Sequence, residues 1–195
     1  MTKAVLRRLY QSRRQALSEA EYAERNEQIF NQFRSRFPVY ENIAKPLTIH
    51  CFLSSLAKRE VDTNPLIQYF LSQPSITLAV PYTHISEERL SHHHYTEGMV
   101  LETNRWGIPE PHASTLTIDV AQIDWVLIPL LAFDKRGHRV GYGKGFYDRF
   151  LAECRPDTLK IGLSLDEPVE RIDDINAYDF SLNYAVTPSR VWDFS

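Results

Sequence analysis

DWVLIPLLAF, residues 124–133, is the stretch that decides the fold class, because a run this apolar indicates a strand covered on both faces of a sheet. A glycine-rich loop follows it, and then GFYDRFLAEC (145–154), which we interpret as a helix. LKIGLSL (159–165) is a second short apolar run and a second predicted strand. A strand, a helix and a strand in this order favour parallel pairing through a helical crossover.

Similar apolar or β-branched runs recur along the chain, with helical segments between them. The further predicted strands are LTIHCFL (47–53), ITLAVP (76–81), YAVTP (184–188) and the more exposed RLSHHHYT (89–96). The further predicted helices span 3–17, 18–36 and 61–73, and the second starts at a capping box formed by Ser18 and Glu21. The 195 residues suffice for one core. We therefore expect a single α/β domain over 1–195, a layered fold in which helices flank a mainly parallel central sheet.

Composition restricts the classes of partner. A formal net charge of -3 argues against a chain that binds nucleic acid. The apolar runs are shorter than the roughly 20 residues of a membrane span, and the first residues lack the apolar segment of a signal peptide. Cys51 and Cys154 do not have the spacing of a zinc site or a disulfide framework, so we expect both in the core. We expect a cytoplasmic monomer with no nucleic-acid or membrane partner.

The loop that follows the deciding strand combines glycines with one cation and one acid. Glycines stand at 137, 141, 143 and 145, with Lys144 among them and Asp148 just beyond. A loop between the end of a strand and the start of a helix is where open α/β sheets bind anions, and glycine lets backbone amides approach a phosphate. Neither a Walker A loop nor a dinucleotide fingerprint fits these positions. The loop predicts a local phosphate site, and a turn that needs glycine for geometry alone is the alternative.

The first predicted helix carries a basic stripe. On a helical wheel, Lys3, Arg7, Tyr10 and Arg14 fall within roughly 60° of one another. Such a stripe is either a solvated face or a cationic surface docked beside the glycine loop, where it would hold a triphosphate. His92 and His94 share one face of a predicted strand, but no other residue has ligand spacing with them, so we predict no metal there.

The segment LAFDKRGHRVGYGKGFYDRFL (131–151) resembles the signature of the 5-formyltetrahydrofolate cyclo-ligase family, also called 5,10-methenyltetrahydrofolate synthetases. The resemblance extends over essentially the whole chain. Its further motifs are Lys3 and Arg7, Arg14 before LS, FLSS (52–55), EVDT (60–63), WGIPEP (106–111) and VTP (186–188). It implies an ATP-dependent closure of 5-formyltetrahydrofolate to 5,10-methenyltetrahydrofolate, with phosphorylation of the formyl oxygen and then attack by N10.

The resemblance also implies roles for individual residues. Lys144 is the implied catalytic cation, with Arg139 as a weaker second. The residues that the resemblance assigns to ATP binding are Lys3, Arg7, Gly141, Tyr142, Gly143, Lys144, Gly145, Phe146, Tyr147 and Asp148. The implied Mg²⁺ ligands are Asp148 and Asp179, with Asp173 and Asp174 nearby as alternatives to Asp179. The residues that the resemblance assigns to folate binding are Phe52, Ser55, Glu60, Tyr82, Trp106 and the loop residues Gly143, Lys144, Gly145, Phe146 and Tyr147.

Other interpretations stay open at the level of sequence. Glu60 alone would by default be a surface residue, and the aromatic side chains would more often belong to the core. A non-catalytic nucleotide-binding or sensor domain could use the same scaffold, since a fold does not determine a function. An RNA-binding module is a weaker alternative because of the acidic charge balance. Only an enzyme would hydrolyse ATP in a manner that depends on the folate.

Overall fold

The four helices begin and end close to their predicted bounds. The computed structural model describes residues 1–38 and 46–195. The α-helices in them are α1 (Lys3–Ala16), α2 (Glu19–Arg36), α3 (Asn64–Leu71) and α4 (Phe146–Glu153). The predicted capping box is confirmed, because the Glu21 N–H donates to the Ser18 hydroxyl and the Ser18 N–H donates to the Glu21 carboxylate. None of these helices is both long and apolar enough to cross a membrane.

In the part of the chain that the structure describes, seven strands form the central sheet and four short strands form two hairpins. The strands are β1 (Leu47–His50), β2 (Ile76–His84), β3 (Arg89–His94), β4 (Leu101–Thr103), β5 (Pro109–Pro111), β6 (Trp125–Pro129), β7 (Ala132–Phe133), β8 (Arg139–Val140), β9 (Leu159–Leu163), β10 (Tyr184–Val186) and β11 (Val191–Asp193). In the described residues the sheet has the order β11-β10-β9-β6-β1-β2-β3. The five inner strands are parallel, while β3 and β11 pair antiparallel at the two edges. The prediction of a mainly parallel sheet is confirmed.

The deciding stretch is not one continuous strand, which corrects the prediction for 124–133. Strand β6 ends at Pro129, and the chain then leaves the sheet. Strand β7 pairs with β8 instead, with Ala132 opposite Val140, and the Leu131 N–H donates to the Val140 carbonyl. The apolar character continues past Pro129 because this hairpin is itself buried under α1, where Leu6 and Tyr10 pack with Leu131, Ala132 and Val140.

The sheet is covered on both faces, as its apolar strands predict. Alternate residues of β6 point to opposite sides. Leu127 joins a core cluster with residues of α2 and α3, including Phe33 and Phe70. Val126 joins a second cluster with Phe150 of α4. The crossover helix α4 therefore lies on one face and α2 and α3 on the other, and the loop that leads into α4 opens at the carboxyl ends of the parallel strands.

Candidate active site

One cavity of about 380 Å³ opens at the carboxyl ends of the parallel strands. Phe52 follows β1, Pro129 ends β6 and Thr83 lies near the end of β2, so three adjacent strands contribute to its wall. Its volume falls within the usual range for small-molecule sites. Its charged lining residues are the cations Lys3, Arg7, Lys58, Arg139 and Lys144 and the acids Glu60, Glu110, Asp148 and Asp179.

The basic stripe of α1 faces the protein. The Arg7 Nε donates to the Gly141 carbonyl at 2.8 Å, which fixes the helix beside the glycine loop. Arg14 is buried and donates to the Tyr142 hydroxyl at 2.9 Å and to the Leu130 carbonyl. The exposed apolar residues of α1 lie instead on its outer side. The interpretation of the stripe as a solvated face is therefore wrong, and the docked arrangement is the one observed.

The glycine loop has backbone conformations that other residues rarely adopt. Gly143 has φ +86° and Gly145 has φ +72°. A Cβ atom at Gly143 would lie 3.1 Å from the Arg7 guanidinium, and one at Gly145 would lie 2.8 Å from Arg149 Nη1. Gly145 is also the N-cap of α4, whose first turn receives no side-chain cap. The free N–H groups and positive end of α4 therefore suit an anion in the cavity.

Two ion pairs in the cavity connect the loop to the start of α1. Lys3 Nζ lies 2.5 Å from Asp179 Oδ2, and Arg139 Nη2 lies 2.6 Å from Asp148 Oδ1. Arg139 also donates to the Phe180 carbonyl, so its guanidinium connects the segment around Asp179 to Asp148. Burial opposes ionisation of Asp179, but the hydrogen bonds from Lys3 and from the backbone, together with the nearby charges, outweigh it and lower the pKa of Asp179. Asp179 is therefore available as a carboxylate near neutral pH.

The other predicted cations and acids separate into those at the cavity and those outside it. Lys144 is exposed in the cavity wall and forms no ion pair with any described residue. Asp173 pairs with the Met1 amino group at 2.7 Å, and Asp174 accepts from the Lys3 N–H, so both alternatives to Asp179 act at the start of α1. In the described chain no three histidine, cysteine or acidic residues come together as a ready-made metal cluster.

Glu60 is a buried carboxylate of the cavity and not a surface residue. Only 5% of its surface is exposed, and its Oε2 accepts from the Ser55 N–H at 2.7 Å. Tyr22 donates to the Glu60 carbonyl and fixes the backbone there. Ser55 itself is buried behind Glu60 and is not part of the cavity lining. The FLSS and EVDT motifs thus act together, because the first supplies the N–H that orients the acid of the second.

The structure brings five of the predicted aromatic residues to the cavity. The lining includes Phe52, Trp106, Tyr142, Phe146 and Tyr147, and the Trp106 and Phe146 rings meet edge to face at 6.0 Å. Tyr82 does not line it. Its neighbours Pro81 and Thr83 do, and since successive strand residues point to opposite faces, the Tyr82 ring lies on the other side near His84 and His93.

A model of the 5-formyltetrahydrofolate cyclo-ligase family matches residues 1–188 of this chain. The chain belongs to this family. The 5-formyltetrahydrofolate cyclo-ligase of Escherichia coli strain K12 is 31% identical over 190 residues, which cover 95% of this chain and 100% of that protein. A probable 5-formyltetrahydrofolate cyclo-ligase of Schizosaccharomyces pombe is 27% identical over 154 residues, 72% of this chain and 75% of that protein.

Two solved structures of 5,10-methenyltetrahydrofolate synthetases share the fold. The Aquifex aeolicus protein has a TM-score of 0.79 and 28% identity, over 100% of this chain and 93% of that one. The Mycoplasma pneumoniae protein has a TM-score of 0.73 and 25% identity, over 96% and 99%. The known reaction of the cyclo-ligase family is the ATP-dependent cyclisation of 5-formyltetrahydrofolate, so this chain is a cyclo-ligase enzyme.

Sequence reasoning missed several cavity residues of this cyclo-ligase. The missed residues include Leu53, Lys58, Thr83, Leu90, Ile108 and Glu110. Glu110 stands inside the WGIPEP motif, which signals this segment but not which of its residues reaches the cavity. Thr83 gives no local signal, because its position depends on how far β2 extends beyond the predicted strand.

Proposed function

We propose that the cavity binds ATP and 5-formyltetrahydrofolate side by side and that the chain closes the folate to 5,10-methenyltetrahydrofolate, releasing ADP and phosphate. The hydrogen bond from Arg7 to the Gly141 carbonyl carries this proposal, because it places the cations of α1 at the glycine loop of a cavity that also holds Glu60. Cations and free amides suit a triphosphate, and a buried carboxylate suits the N–H groups of a pterin.

On the ATP side, Lys3, Arg7 and Lys144 supply positive charge to the phosphates. Residues 141–148 surround the phosphates. The backbone N–H groups of this loop come close to the phosphates because Gly143 and Gly145 adopt positive φ. Tyr142 is fixed by the buried Arg14 and so holds its part of the loop in place. Such fixed charges and dipoles need no reorganisation when the phosphoryl group is transferred.

On the folate side, Glu60 accepts N–H groups of the pterin, and Phe52, Trp106 and Tyr147 cover its flat rings. Ser55 acts through its backbone N–H, which orients Glu60. The loop from Gly143 to Tyr147 contacts both substrates in this arrangement, because it lines the cavity together with the cations and the aromatic residues. We leave Tyr82 out of the site because its ring lies on the other face of β2.

The chemistry follows from holding both substrates in one place. The formyl oxygen attacks the γ-phosphorus, and the bond to ADP breaks. N10 then attacks the formyl carbon, the carbon–oxygen bond breaks with its electrons leaving on phosphate, and N10 loses its proton. Lys144, with Arg139 in support, stabilises charge on the transferred group. The protein contributes mainly alignment and neutralisation of charge.

The acids Asp148 and Asp179 are the residues that would hold Mg²⁺. Both line the cavity and offer carboxylate oxygens, which Mg²⁺ prefers, and one or two carboxylates with substrate phosphates are its usual ligands. Bound there, the ion would neutralise phosphate charge. Asp148→Asn keeps an oxygen but loses the charge, so we expect its activity to fall and to recover partly at raised Mg²⁺. Asp174→Asn, which lies outside the cavity lining, is the control.

The absorbance of methenyltetrahydrofolate in the near ultraviolet tests the function. The purified chain with 5-formyltetrahydrofolate, ATP and Mg²⁺ should form this product, and omission of any one should prevent it. Folded protein that binds nucleotide without folate-dependent turnover would identify the sensor domain instead. We also propose a monomer in the cytoplasm, and light scattering of the purified chain tests the first part.

A further inference from the structure

Glu110 is a second buried carboxylate in the cavity, and no cation of the described chain forms an ion pair with it. It stands in β5, with 6% of its surface exposed. Its Oε1 accepts from the Thr83 N–H at 3.1 Å and also from the Thr83 hydroxyl. Within residues 1–38 and 46–195, Glu110 forms no ion pair, and its Oε2 accepts no hydrogen bond.

A carboxylate in this state is suited to a donor that arrives with a ligand. Burial of a charge without a cation is unfavourable, and the two bonds from Thr83 satisfy only one of its oxygens. The same cavity is also lined by the apolar Leu90, Ile108 and Phe146, whose side chains supply no donor. The remaining acceptor capacity of Glu110 is therefore available to a molecule in the cavity.

We propose that Glu110 determines specificity by accepting an N–H from the nitrogen heterocycle of one of the two substrates. This inference rests on the proposed function, because those substrates carry the donors: the amino and ring N–H groups of the reduced pterin, and the exocyclic amino group of adenine. The carboxylate also repels phosphate groups and the glutamate carboxylates of a folate. It thus favours the heterocyclic end of a ligand, and the flat Trp106 and Phe146 rings lie in the same wall.

The substitution Glu110→Gln tests this acceptor role with almost no change of shape. The Thr83 N–H can only donate, so the amide oxygen of the new side chain takes the place of Oε1 and accepts the hydrogen bond from Thr83. The amide NH₂ group then takes the position of Oε2, and a donor replaces an acceptor in the cavity. We expect calorimetric titration to show at least about 10-fold weaker binding of one substrate, either 5-formyltetrahydrofolate or a non-hydrolysable ATP analogue. The substrate affected identifies the donor.

Glu102→Gln is the matched control, since Glu102 is exposed and lies directly opposite Glu110 in the hairpin of β4 and β5. It removes the same charge without touching the cavity, so both affinities should stay unchanged. Glu110→Asp keeps the charge but withdraws it from the cavity, and should weaken the same substrate as Glu110→Gln. It serves as the second variant if Glu110→Gln does not fold.

Unchanged affinity for both substrates in a folded Glu110 variant overturns the inference, and so does an equal loss in Glu102→Gln. Turnover of the unmodified chain is measured alongside. If that chain turns over with folate and ATP while the Glu110 variants bind both normally, only this inference fails. If the unmodified chain binds both substrates without turnover, the proposed function fails, and the titrations still decide the role of Glu110.

Discussion

Arg7 Nε donates to the carbonyl oxygen of Gly141 at 2.8 Å, across 134 positions of sequence. This bond, together with the one from Arg14 to the Tyr142 hydroxyl, joins the first helix to the loop that carries the strongest motif of the chain. It converts two features that are ambiguous alone, a basic stripe and a glycine-rich turn, into one arrangement with positive charge and free amides on the same side of a cavity.

Arg7→Ala should raise the KM for ATP far more than the KM for the folate. A charged hydrogen bond to phosphate in a partly buried site is worth about 1.5–3 kcal/mol, which corresponds to roughly 10- to 100-fold. Lys3→Ala should act in the same direction. Arg8→Ala, on the exposed side of α1, is the control and should change neither KM. Steady-state kinetics with each substrate varied in turn measures the effect, and an ATP KM unchanged in both cavity variants would contradict it.

Gly145→Val should abolish ATP binding even where the protein folds. A β-branched side chain resists the positive φ of this residue, and its Cβ would lie 2.8 Å from Arg149 Nη1, at the start of α4 where the anion is expected. Gly98→Val is the control that distinguishes backbone strain from damage to the site. Gly98 has φ +75°, a Cβ atom there would have nothing within 4 Å, and the residue is not part of the cavity lining. Titration with an ATP analogue should show loss of binding for the first variant alone.

Lys144→Ala should lower kcat more than it weakens ATP binding, by about 100-fold if the ammonium acts mainly in the transition state. The side chain is exposed and forms no ion pair with any described residue, so its removal should leave thermal stability unchanged. Lys135→Ala removes a lysine outside the cavity that pairs with Glu170 at 2.5 Å, and should leave kcat intact. Single-turnover kinetics distinguishes the two. A loss of melting temperature with intact turnover per folded molecule would make the loop a purely structural turn.

The folded state should lose stability as the pH falls from about 6.5 to about 4. Burial, with a smaller contribution from the neighbouring His93, lowers the pKa of His92 to about 4, and burial also lowers the pKa of His50, whose ring lies 5.1 Å away. The unfolded chain therefore binds these protons first, so its free energy falls relative to the folded state as acid is added. His92 alone accounts for up to about 3 kcal/mol.

Urea unfolding at several pH values measures this dependence. His92→Leu should flatten the part of the curve below pH of about 6, because it removes one group whose protonation favours unfolding. Substitution of the exposed His112 by leucine should leave the slope unchanged. A free energy of unfolding that does not vary between pH of about 7 and 4.5 would contradict the neutral, buried state of His92.

Local patterns in the sequence predicted most elements of the fold, and pairing between distant segments accounts for what they missed. The capping box at Ser18 needs only four consecutive residues, so it is readable in the sequence. The end of β6 at Pro129 is not readable, because the apolar run continues into a hairpin whose burial depends on α1. Edge strand β11 was missed for the same reason, since its pairing with β10 gives it its structure.

The candidate site also contains residues that local sequence predicts and residues whose place depends on contacts between distant segments. The glycine loop and Lys144 stand together in sequence and could be recognised there. Glu110 could not, because its contact with Thr83 joins two segments that are distant in sequence, and nothing in either one indicates the other. The family resemblance assigns Tyr82 to the folate site, but the alternation of side chains along β2 turns its ring away from the cavity.

The bond between Lys3 and Asp179 means that the proposed nucleotide site is complete only after residue 179 has been synthesised. The two residues are 176 positions apart, so the first helix leaves the ribosome long before Asp179 does. The apolar face of α1 can pack once the hairpin of residues 131–140 has emerged, but Lys3 lacks its partner until Asp179 is present. A nascent chain that stops short of Asp179 therefore lacks part of the proposed ATP site, and ATP can stabilise the fold through that site only after this residue has reached its place.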